Sequence, residues 1–471
     1  MTHFDPRDDR DPLETAARHA QAWLASLDTR SVAATVSRDD LRRRFEAPLP
    51  QTGVPANTVV EEFVRAAEGG QLASGSGRFF AWVIGGAVPS SVAAEWLVSA
   101  WDQNATIYAT SPVASVVEEV AGHWLLDLFR LPRTSSFAFT TGCQMAHFTA
   151  LSAAREQVLR QAGWDVGRQG MAGSPPIRLL VSAIRHVSLD RALRYLGIGK
   201  DQLQVLPVDA AGGIAPETLS AALTGDGPTI VCLNAGDLNT GAFDDFRALV
   251  PLANARGAWV HVDGAFGLFG RTSRRYDLLV DGMELADSWA TDCHKWLNVP
   301  QDSGFVAVRH PDAHRRAMTI VDSYFVAEDK ARDEIDWTPE WSRRARGFGV
   351  YAALRELGRE GVAALIERNG EQCEALASGM ARLPGVELVS PPRLNQALVR
   401  FRDARDGATE ADHDARTERV IAAINASGEA FFGPSTWQGK RVMRICVVNW
   451  RTTARDVERT IAAVRHALTI A

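Results

Sequence analysis

The sequence has few cysteines, and no two of them have the spacing of a metal site. Its 471 residues include five cysteines, which are scattered and never form a CxxC pair. An odd and dispersed set argues against a disulfide framework and against a zinc site, and it suits a reduced interior. We therefore expect no metal centre and a cytoplasmic location.

Long apolar runs and an excess of positive charge are also absent. Glu95, Asp102 and Glu118 interrupt the most apolar region, so we expect no membrane span. The opening residues, MTHFDPRDDRDP, are charged and lack the apolar centre of a signal peptide. The formal net charge is −6, whereas nucleic-acid-binding proteins usually carry a clustered basic surface. We therefore expect neither a membrane nor a nucleic acid as a partner.

From Phe137 onward the sequence contains short, almost continuously apolar segments that are separated by amphipathic ones. The apolar segments are residues 177–183, 229–235, 258–263, 287–291 and 304–308. Such segments are typical of a mostly parallel sheet that is covered by helices on both faces. We predict an α/β protein of three parts. They are an N-terminal helical segment (1–77), a large domain (78–345) and a small α+β C-terminal domain (346–471).

Three reactive side chains come shortly after predicted strands. Asp263 ends the strand at 258–263, His186 follows the one at 177–183, and Lys295 follows the one at 287–291. In parallel sheets the carboxyl ends of the strands border the crevice in which ligands bind. Large apolar residues flank Lys295, and we expect them to lower its pKa and leave more free amine to attack a carbonyl.

The segment FTTGCQMAH, residues 139–147, adds a candidate anion site, because backbone N–H groups at the start of a helix favour phosphate. Each of these four features is common in proteins when it occurs alone. For example, an aspartate in a VDG sequence such as that of Asp263 is more often a turn or cap residue. Together they are the groups needed to bind pyridoxal 5′-phosphate. Lys295 would form a Schiff base with the coenzyme, and Asp263 would pair with its protonated pyridine nitrogen.

An ordered series of segments, including WVHVDGAFG, ADSWATDCHKWL and MRICVVNWRTT, gives the chain a family resemblance from about Arg78 to near its end. The chain resembles the group II pyridoxal-phosphate-dependent decarboxylases, the family of the aromatic-amino-acid and glutamate decarboxylases. The resemblance implies the aspartate-aminotransferase-type fold (fold type I). It also implies a lyase of amino-acid metabolism, a decarboxylase that converts an L-amino acid to its amine. The enzyme would be a homodimer with each active site at the interface.

The resemblance also implies roles for individual residues around the coenzyme. Lys295 carries the coenzyme, Asp263 pairs with the pyridine nitrogen, His186 stacks on the ring, and Ala265 packs on the other face. The residues that it places near the phosphate are Gly142, Cys143, Gln144, Ser288, Asp292 and His294.

Two further residues receive roles toward the substrate by the same resemblance. Tyr324, on a loop, would protonate the α-carbon after carbon dioxide leaves, and His186 would share this catalytic role. Arg444 matches an arginine that binds the substrate carboxylate in glutamate decarboxylases. On the residues alone, a loop tyrosine is more often a packing or surface residue, and Arg444 could as easily pair with a carboxylate of the small domain.

Several residues depart from the usual family pattern or leave the substrate open. Cys143, Asp237 and Gln301 are departures, and we expect Asp237 to raise the pKa of His186. The side chains that favour a polar or acidic substrate are Asn104, Asp237, Gln301 and Arg444, and those that suit an aromatic one are Trp101 and Tyr108. We also predict that the basic run Arg343, Arg344 and Arg346 is a solvated or interface surface.

Three alternatives to plain decarboxylation remain from the sequence. A carbon–carbon lyase and an oxidative aldehyde synthase use the same coenzyme, and a non-catalytic coenzyme-binding protein belongs to another class. Tyr324 is retained, which favours decarboxylation over the oxidative outcome. Lys295 is retained, which argues against a protein without catalysis.

Overall fold

The computed structural model describes residues 10–320 and 331–471. The helices are α1 (Arg10–Ser26), α2 (Arg38–Phe45), α3 (Ala56–Ala67), α4 (Pro89–Trp101), α5 (Pro112–Leu128), α6 (Cys143–Gln161), α7 (Val166–Gln169), α8 (Val187–Tyr195), α9 (Pro216–Ala222), α10 (Phe246–Asn254), α11 (Pro311–Met318), α12 (Gly347–Ala381), α13 (Glu410–Ser427) and α14 (Ala454–Ile470). The strands are β1 (Ser136–Thr140), β2 (Arg178–Ser182), β3 (Leu203–Leu206), β4 (Thr229–Asn234), β5 (Trp259–Asp263), β6 (Ser288–Asp292), β7 (Gly304–Val308), β8 (Val386–Arg393), β9 (Gln396–Phe401), β10 (Gly433–Trp437) and β11 (Lys440–Cys446).

The larger sheet has seven strands in the order β1-β7-β6-β5-β4-β2-β3. Strand β7 runs antiparallel to both of its neighbours, and the other pairings are parallel. Every residue of β4, β5, β6 and β7 is buried, because helices cover both faces of these apolar strands. The predicted α/β fold with a mostly parallel central sheet is therefore confirmed.

The smaller sheet is antiparallel, with the order β10-β11-β9-β8, and helices α12 and α13 pack against it. Helix α12 connects the two sheets, because it contacts α4 and α5 as well as β8 and α14. It is kinked at Gly358, whose φ of 61° is a conformation that glycine adopts more easily than other residues. The division of the chain at residues 77 and 345 stays a prediction.

Within the described ranges, we find no helix that is both long and apolar enough to cross a membrane.

Arg343 corrects the prediction that residues 343–346 are all surface. Its side chain is fully buried, and its guanidinium lies 2.9 Å from Glu118 and donates to the carbonyl of Phe139 at 3.0 Å. Burial raises the pKa of Glu118 to about 7, although Arg343 opposes this. The buried pair ties α5 and the end of β1 to the start of α12, where losing either partner would leave an uncompensated charge. Arg344, in contrast, is exposed and pairs with Glu95.

Candidate active site

A cavity of about 120 Å³ opens at the carboxyl edge of the larger sheet. Five residues predicted from the sequence line it, and they come from both sheets: His186, Asp263, Ala265, Lys295 and Arg444. The other lining residues are Trp82, Val83, Ile184, Asn234, Gly236, Asp237, Leu238 and Phe266. The main reactive groups therefore lie in one place, because the carboxyl ends of neighbouring parallel strands share an edge.

Lys295 forms a close ion pair with Asp292, and the two charged atoms lie 2.9 Å apart. Asp292, the last residue of β6, also accepts the backbone N–H of Cys143 at 2.5 Å and lies 3.4 Å from Nε2 of His294. Burial alone lowers the pKa of Lys295, but Asp292 and other neighbours raise it above its ordinary value. The expectation of a lowered pKa is wrong, because a carboxylate in direct contact outweighs the apolar surroundings.

Asp263 is buried at the end of β5 and is held by contacts on both oxygens. Its Oδ1 accepts the N–H of Ala265 at 3.2 Å, and its Oδ2 lies 3.4 Å from Nε2 of His147. Burial would raise the pKa of Asp263, but His147, His186 and Lys295 together bring it well below its ordinary value. The carboxylate is therefore anionic at neutral pH, as a partner of a pyridinium must be.

His186 is the N-cap of α8 and borders the cavity. Its Nδ1 accepts the backbone N–H of Ser188 at 3.3 Å, so a neutral ring carries its proton on Nε2. Part of the ring faces solvent, but burial of the rest lowers its pKa, and Asp263 only partly opposes this.

Asp237 does not have the effect on His186 that we expected. Its carboxylate accepts the backbone N–H groups of Asn239 and Thr240 at 3.0 and 2.6 Å. These bonds occupy Asp237 within its own turn, and the pKa of His186 is lowered and not raised.

The region predicted to hold the phosphate surrounds the start of α6. Gly142 is the N-cap, and a Cβ there would lie 3.2 Å from the His294 ring and 3.3 Å from Asp292. Glycine thus lets the backbone approach these two side chains closely. Gln144 is the second residue of the helix, and its Oε1 lies 3.4 Å from Arg191. The N–H of Cys143 is already used by Asp292, so it is not free for a ligand in this structure.

Ser288 is not brought to the cavity. It is the first residue of β6, and its fully buried Oγ accepts the indole N–H of Trp259 at 2.9 Å. Asp292 lies four positions further along the strand, which is roughly 13 Å. The geometry therefore gives no support to a contact between Ser288 and the phosphate. Tyr324 lies outside the described residues.

Sequence reasoning missed two histidines that lie behind Asp263. His147 on α6 and His261 on β5 are fully buried, and their ring nitrogens Nδ1 and Nε2 lie 2.9 Å apart. The sequence contained a signal for this cluster. Cys143 and His147 are four positions apart on a helix, and His261 and Asp263 are two positions apart on a strand. Both spacings place side chains on a common face.

The residues present fit pyridoxal phosphate. Asp263 supplies an anion for the ring nitrogen, Lys295 an amine for the aldehyde, and Gly142 a close backbone approach at a helix start. Two buried donors at the cavity, Nε of Arg444 and Nδ2 of Asn234, have no hydrogen-bond partner within the described parts of the chain. These two donors are therefore available to a bound ligand.

Comparisons with known proteins agree with this assignment. Residues 39–403 match the family model of the pyridoxal-dependent decarboxylase conserved domain. The chain is 25% identical over 448 residues to the aromatic-L-amino-acid decarboxylase of Bacillus atrophaeus, a match that covers 93% of this chain and 91% of that protein. It is 29% identical over 429 residues to the L-2,4-diaminobutyrate decarboxylase of Rhizobium meliloti (strain 1021), covering 88% and 83%.

The fold is also that of a solved structure. The crystal structure of Oryza sativa TDC with PLP and tryptamine matches with a TM-score of 0.91 at 22% identity, covering 100% of this chain and 99% of that one. Fold and site together define a pyridoxal-phosphate enzyme of the α/β class. The chain belongs to the pyridoxal-dependent decarboxylase family, and it is an amino-acid decarboxylase that uses pyridoxal phosphate.

Proposed function

We propose that the enzyme removes the α-carboxylate of an L-amino acid with the coenzyme attached to Lys295 and paired with Asp263. The observation that carries the proposal is that four reactive groups converge on one cavity from separate segments of the chain: Lys295, Asp263, His186 and Arg444. Bound pyridoxal phosphate supplies the electron sink for the departing carboxylate. The protein's part is to bind the substrate, orient the breaking bond and exclude water.

The remaining coenzyme contacts follow from charge and position. His186 and Ala265 border the cavity, which supports the predicted positions on the two faces of the ring. Gly142, Gln144 and His294 surround the helix start, which supports the phosphate assignment.

Cys143 and Asp292 contribute to the phosphate region indirectly. Burial raises the pKa of Asp292, but Lys295 and His294 lower it, so the carboxylate is anionic and would repel a phosphate. We therefore propose that Asp292 organises Lys295, His294 and the N–H of Cys143. Tyr324 as the proton donor stays a prediction.

Arg444 is the cation that we propose to bind a substrate carboxylate. Its side chain is buried, and among the described residues its Nη2 donates to the sulfur of Cys446 alone, at 3.5 Å. No carboxylate of residues 10–320 or 331–471 forms an ion pair with it, which weakens the alternative of a structural pair in the small domain. A buried guanidinium with spare donors is suited to bind a carboxylate.

Replacing Arg444 by methionine should lower kcat/KM by about 100-fold, because the bound carboxylate loses a buried charged partner. A panel of amino acids, followed by release of carbon dioxide, measures the effect and identifies the substrate. Loss across the whole panel assigns Arg444 to the α-carboxylate, and loss confined to acidic amino acids assigns it to the side chain. Hydrogen peroxide and aldehyde, measured in the same assays, detect the oxidative alternative.

Arg441→Met is the matched control, because Arg441 lies on the same strand but pairs with Glu418 at the surface. It should leave kcat/KM unchanged. An unchanged kcat/KM in Arg444→Met for every substrate would remove Arg444 from the substrate site.

We also propose a cytoplasmic homodimer. Large apolar side chains are exposed around α1 to α3, and we call this set the N-terminal apolar surface: Leu13, Phe45, Leu49, Val59 and Phe63. Exposed large apolar side chains that are grouped on one part of a protein often mark a protein contact. The five cysteines are all buried and free, which supports a reduced compartment.

Phe63→Glu should convert the dimer to a monomer, because a charge within a buried apolar interface is unfavourable. Light scattering over a range of concentrations measures the mass, and one chain is 51.2 kDa. Leu278→Glu is the control, since Leu278 is 87% exposed and lies outside the N-terminal apolar surface. A wild-type mass of one chain would contradict the proposal.

A further inference from the structure

A line of buried polar side chains extends from Asp263 into the sheet, and the assignments above do not use it. His147, His261 and Ser288 are each fully buried. Nε2 of His147 lies 3.4 Å from Oδ2 of Asp263, and Nδ1 of His147 lies 2.9 Å from Nε2 of His261. Nδ1 of His261 lies 2.9 Å from Oγ of Ser288, which accepts the indole N–H of Trp259 at the same distance.

Trp259 sets the direction of the protons along this line. The indole nitrogen of Trp259 can only donate, so the Ser288 oxygen accepts this N–H. The Ser288 hydroxyl therefore donates its own hydrogen bond to another group. Among the described residues that group is Nδ1 of His261. Burial lowers the pKa of His261 to about 3, so the ring is neutral and carries one proton, on Nε2. His261 then donates to Nδ1 of His147, and Nε2–H of His147 is left to face Asp263.

Asp263 depends on this donor, because burial favours its neutral form. An N–H that faces a carboxylate favours its ionised form, and Nε2 of His147 lies 3.4 Å from Oδ2 of Asp263. Cys143 also faces both groups, with its sulfur 3.4 Å from Nε2 of His147 and 3.9 Å from Oδ1 of Asp263. Burial raises the pKa of this thiol well above its ordinary value, so it adds no competing anion.

We propose that His147 is a positioning residue for decarboxylation, held by His261, Ser288 and Trp259 so that its Nε2–H keeps the Asp263 carboxylate anionic and aimed at the pyridine nitrogen. The proposal rests on the role of Asp263 proposed above. His147 acts through Asp263 and not by contact with the coenzyme or the substrate.

The test is the protonation of the pyridine nitrogen itself. Apoprotein is loaded with pyridoxal phosphate carrying ¹⁵N in the ring, and the ¹⁵N chemical shift is followed against pH. Wild type should give the pyridinium shift at neutral pH. His147→Leu should move the shift toward neutral pyridine and lower kcat by about tenfold, with KM little changed. His147→Gln, whose amide N–H reaches nearly the same position, should restore much of the pyridinium signal.

Two reference variants separate this proposal from the one on which it rests. Asp263→Asn should lose the pyridinium signal entirely; if it keeps the signal, the role of Asp263 fails. If Asp263→Asn loses the signal and His147→Leu keeps it, only the role of His147 is overturned. His314→Leu controls for loss of a buried histidine, since His314 is equally buried and bonds Ser136 and the carbonyl of Trp337 at 2.9 Å. It should leave both the shift and kcat unchanged.

Ser288→Ala covers the case in which His147→Leu does not fold. It deletes only the hydroxyl that orients His261, and it should move the ¹⁵N shift in the same direction by a smaller amount. An unchanged shift in whichever of the two variants folds overturns the proposal.

Discussion

Lys295→Ala will lower decarboxylation by about 10⁴-fold or more and will leave the fold intact. Lys295 supplies the amine of the cavity, and no other lysine is among the cavity's described lining residues. The fold should survive because Asp292, the partner of Lys295, keeps its contacts with the Cys143 N–H and with His294. Carbon dioxide release measures the loss, and the melting temperature of the apoprotein measures the fold.

The small number of lysines makes the attachment point testable without activity. The chain has four: Lys200, Lys295, Lys330 and Lys440. Borohydride reduction of the loaded protein, followed by peptide mass analysis, should place the coenzyme on the peptide that contains Lys295. Lys440→Ala is the control, because this lysine is half-exposed on β11 and is not among the described residues that line the cavity. Coenzyme mass on a different lysine would contradict the assignment.

The sequence was sufficient for the central strands and for the groups at their ends. Continuous apolar segments predicted β2, β4, β5, β6 and β7, because strands buried on both faces carry few polar residues. Strand β3 at the sheet edge was not predicted; its Gln204 and Val205 are exposed, and it lacks that pattern. Since neighbouring parallel strands share a carboxyl edge, the positions of Asp263 and Lys295 followed from the strands alone.

The sequence did not predict which residues contact each charged group. Whether Lys295 has a raised or lowered pKa depends on the turn after β6, which brings Asp292 to 2.9 Å. The burial of Arg343 depends on Glu118, 225 positions earlier in the chain. Ser288 and Asp292 lie at opposite ends of the same strand. A match to a sequence motif contains no information on the distance between them. Apolar periodicity carries information on burial and not on such pairings.

Asp263→Asn will lower kcat by about 10³-fold and will weaken coenzyme binding, because an amide does not stabilise a pyridinium cation. The carboxylate of Asp263 has a pKa well below its ordinary value, so it stays ionised over roughly pH 5 to 9. The loss should therefore be uniform over that range, and a lower pH will not restore activity. Steady-state kinetics and titration of the apoprotein with coenzyme measure the two effects.

The same shift predicts how the stability of the apoprotein depends on pH. A folded-state pKa below the unfolded value stabilises the protein above about pH 4, and this contribution is lost as the pH falls. The difference in melting temperature between wild type and Asp263→Asn should thus be largest near neutral pH and shrink on acidification.

Asp244→Asn is the matched control for both effects of Asp263→Asn. Asp244 is as buried as Asp263 but accepts backbone N–H groups of Asn234 and Ile214 and does not line the cavity. Burial raises its pKa to about 6, so its contribution to stability has the opposite sign and is lost as the pH rises. It should keep turnover and the pyridinium signal. If Asp244→Asn and Asp263→Asn lose activity equally, the effect is a general one of buried aspartates and the special role of Asp263 fails.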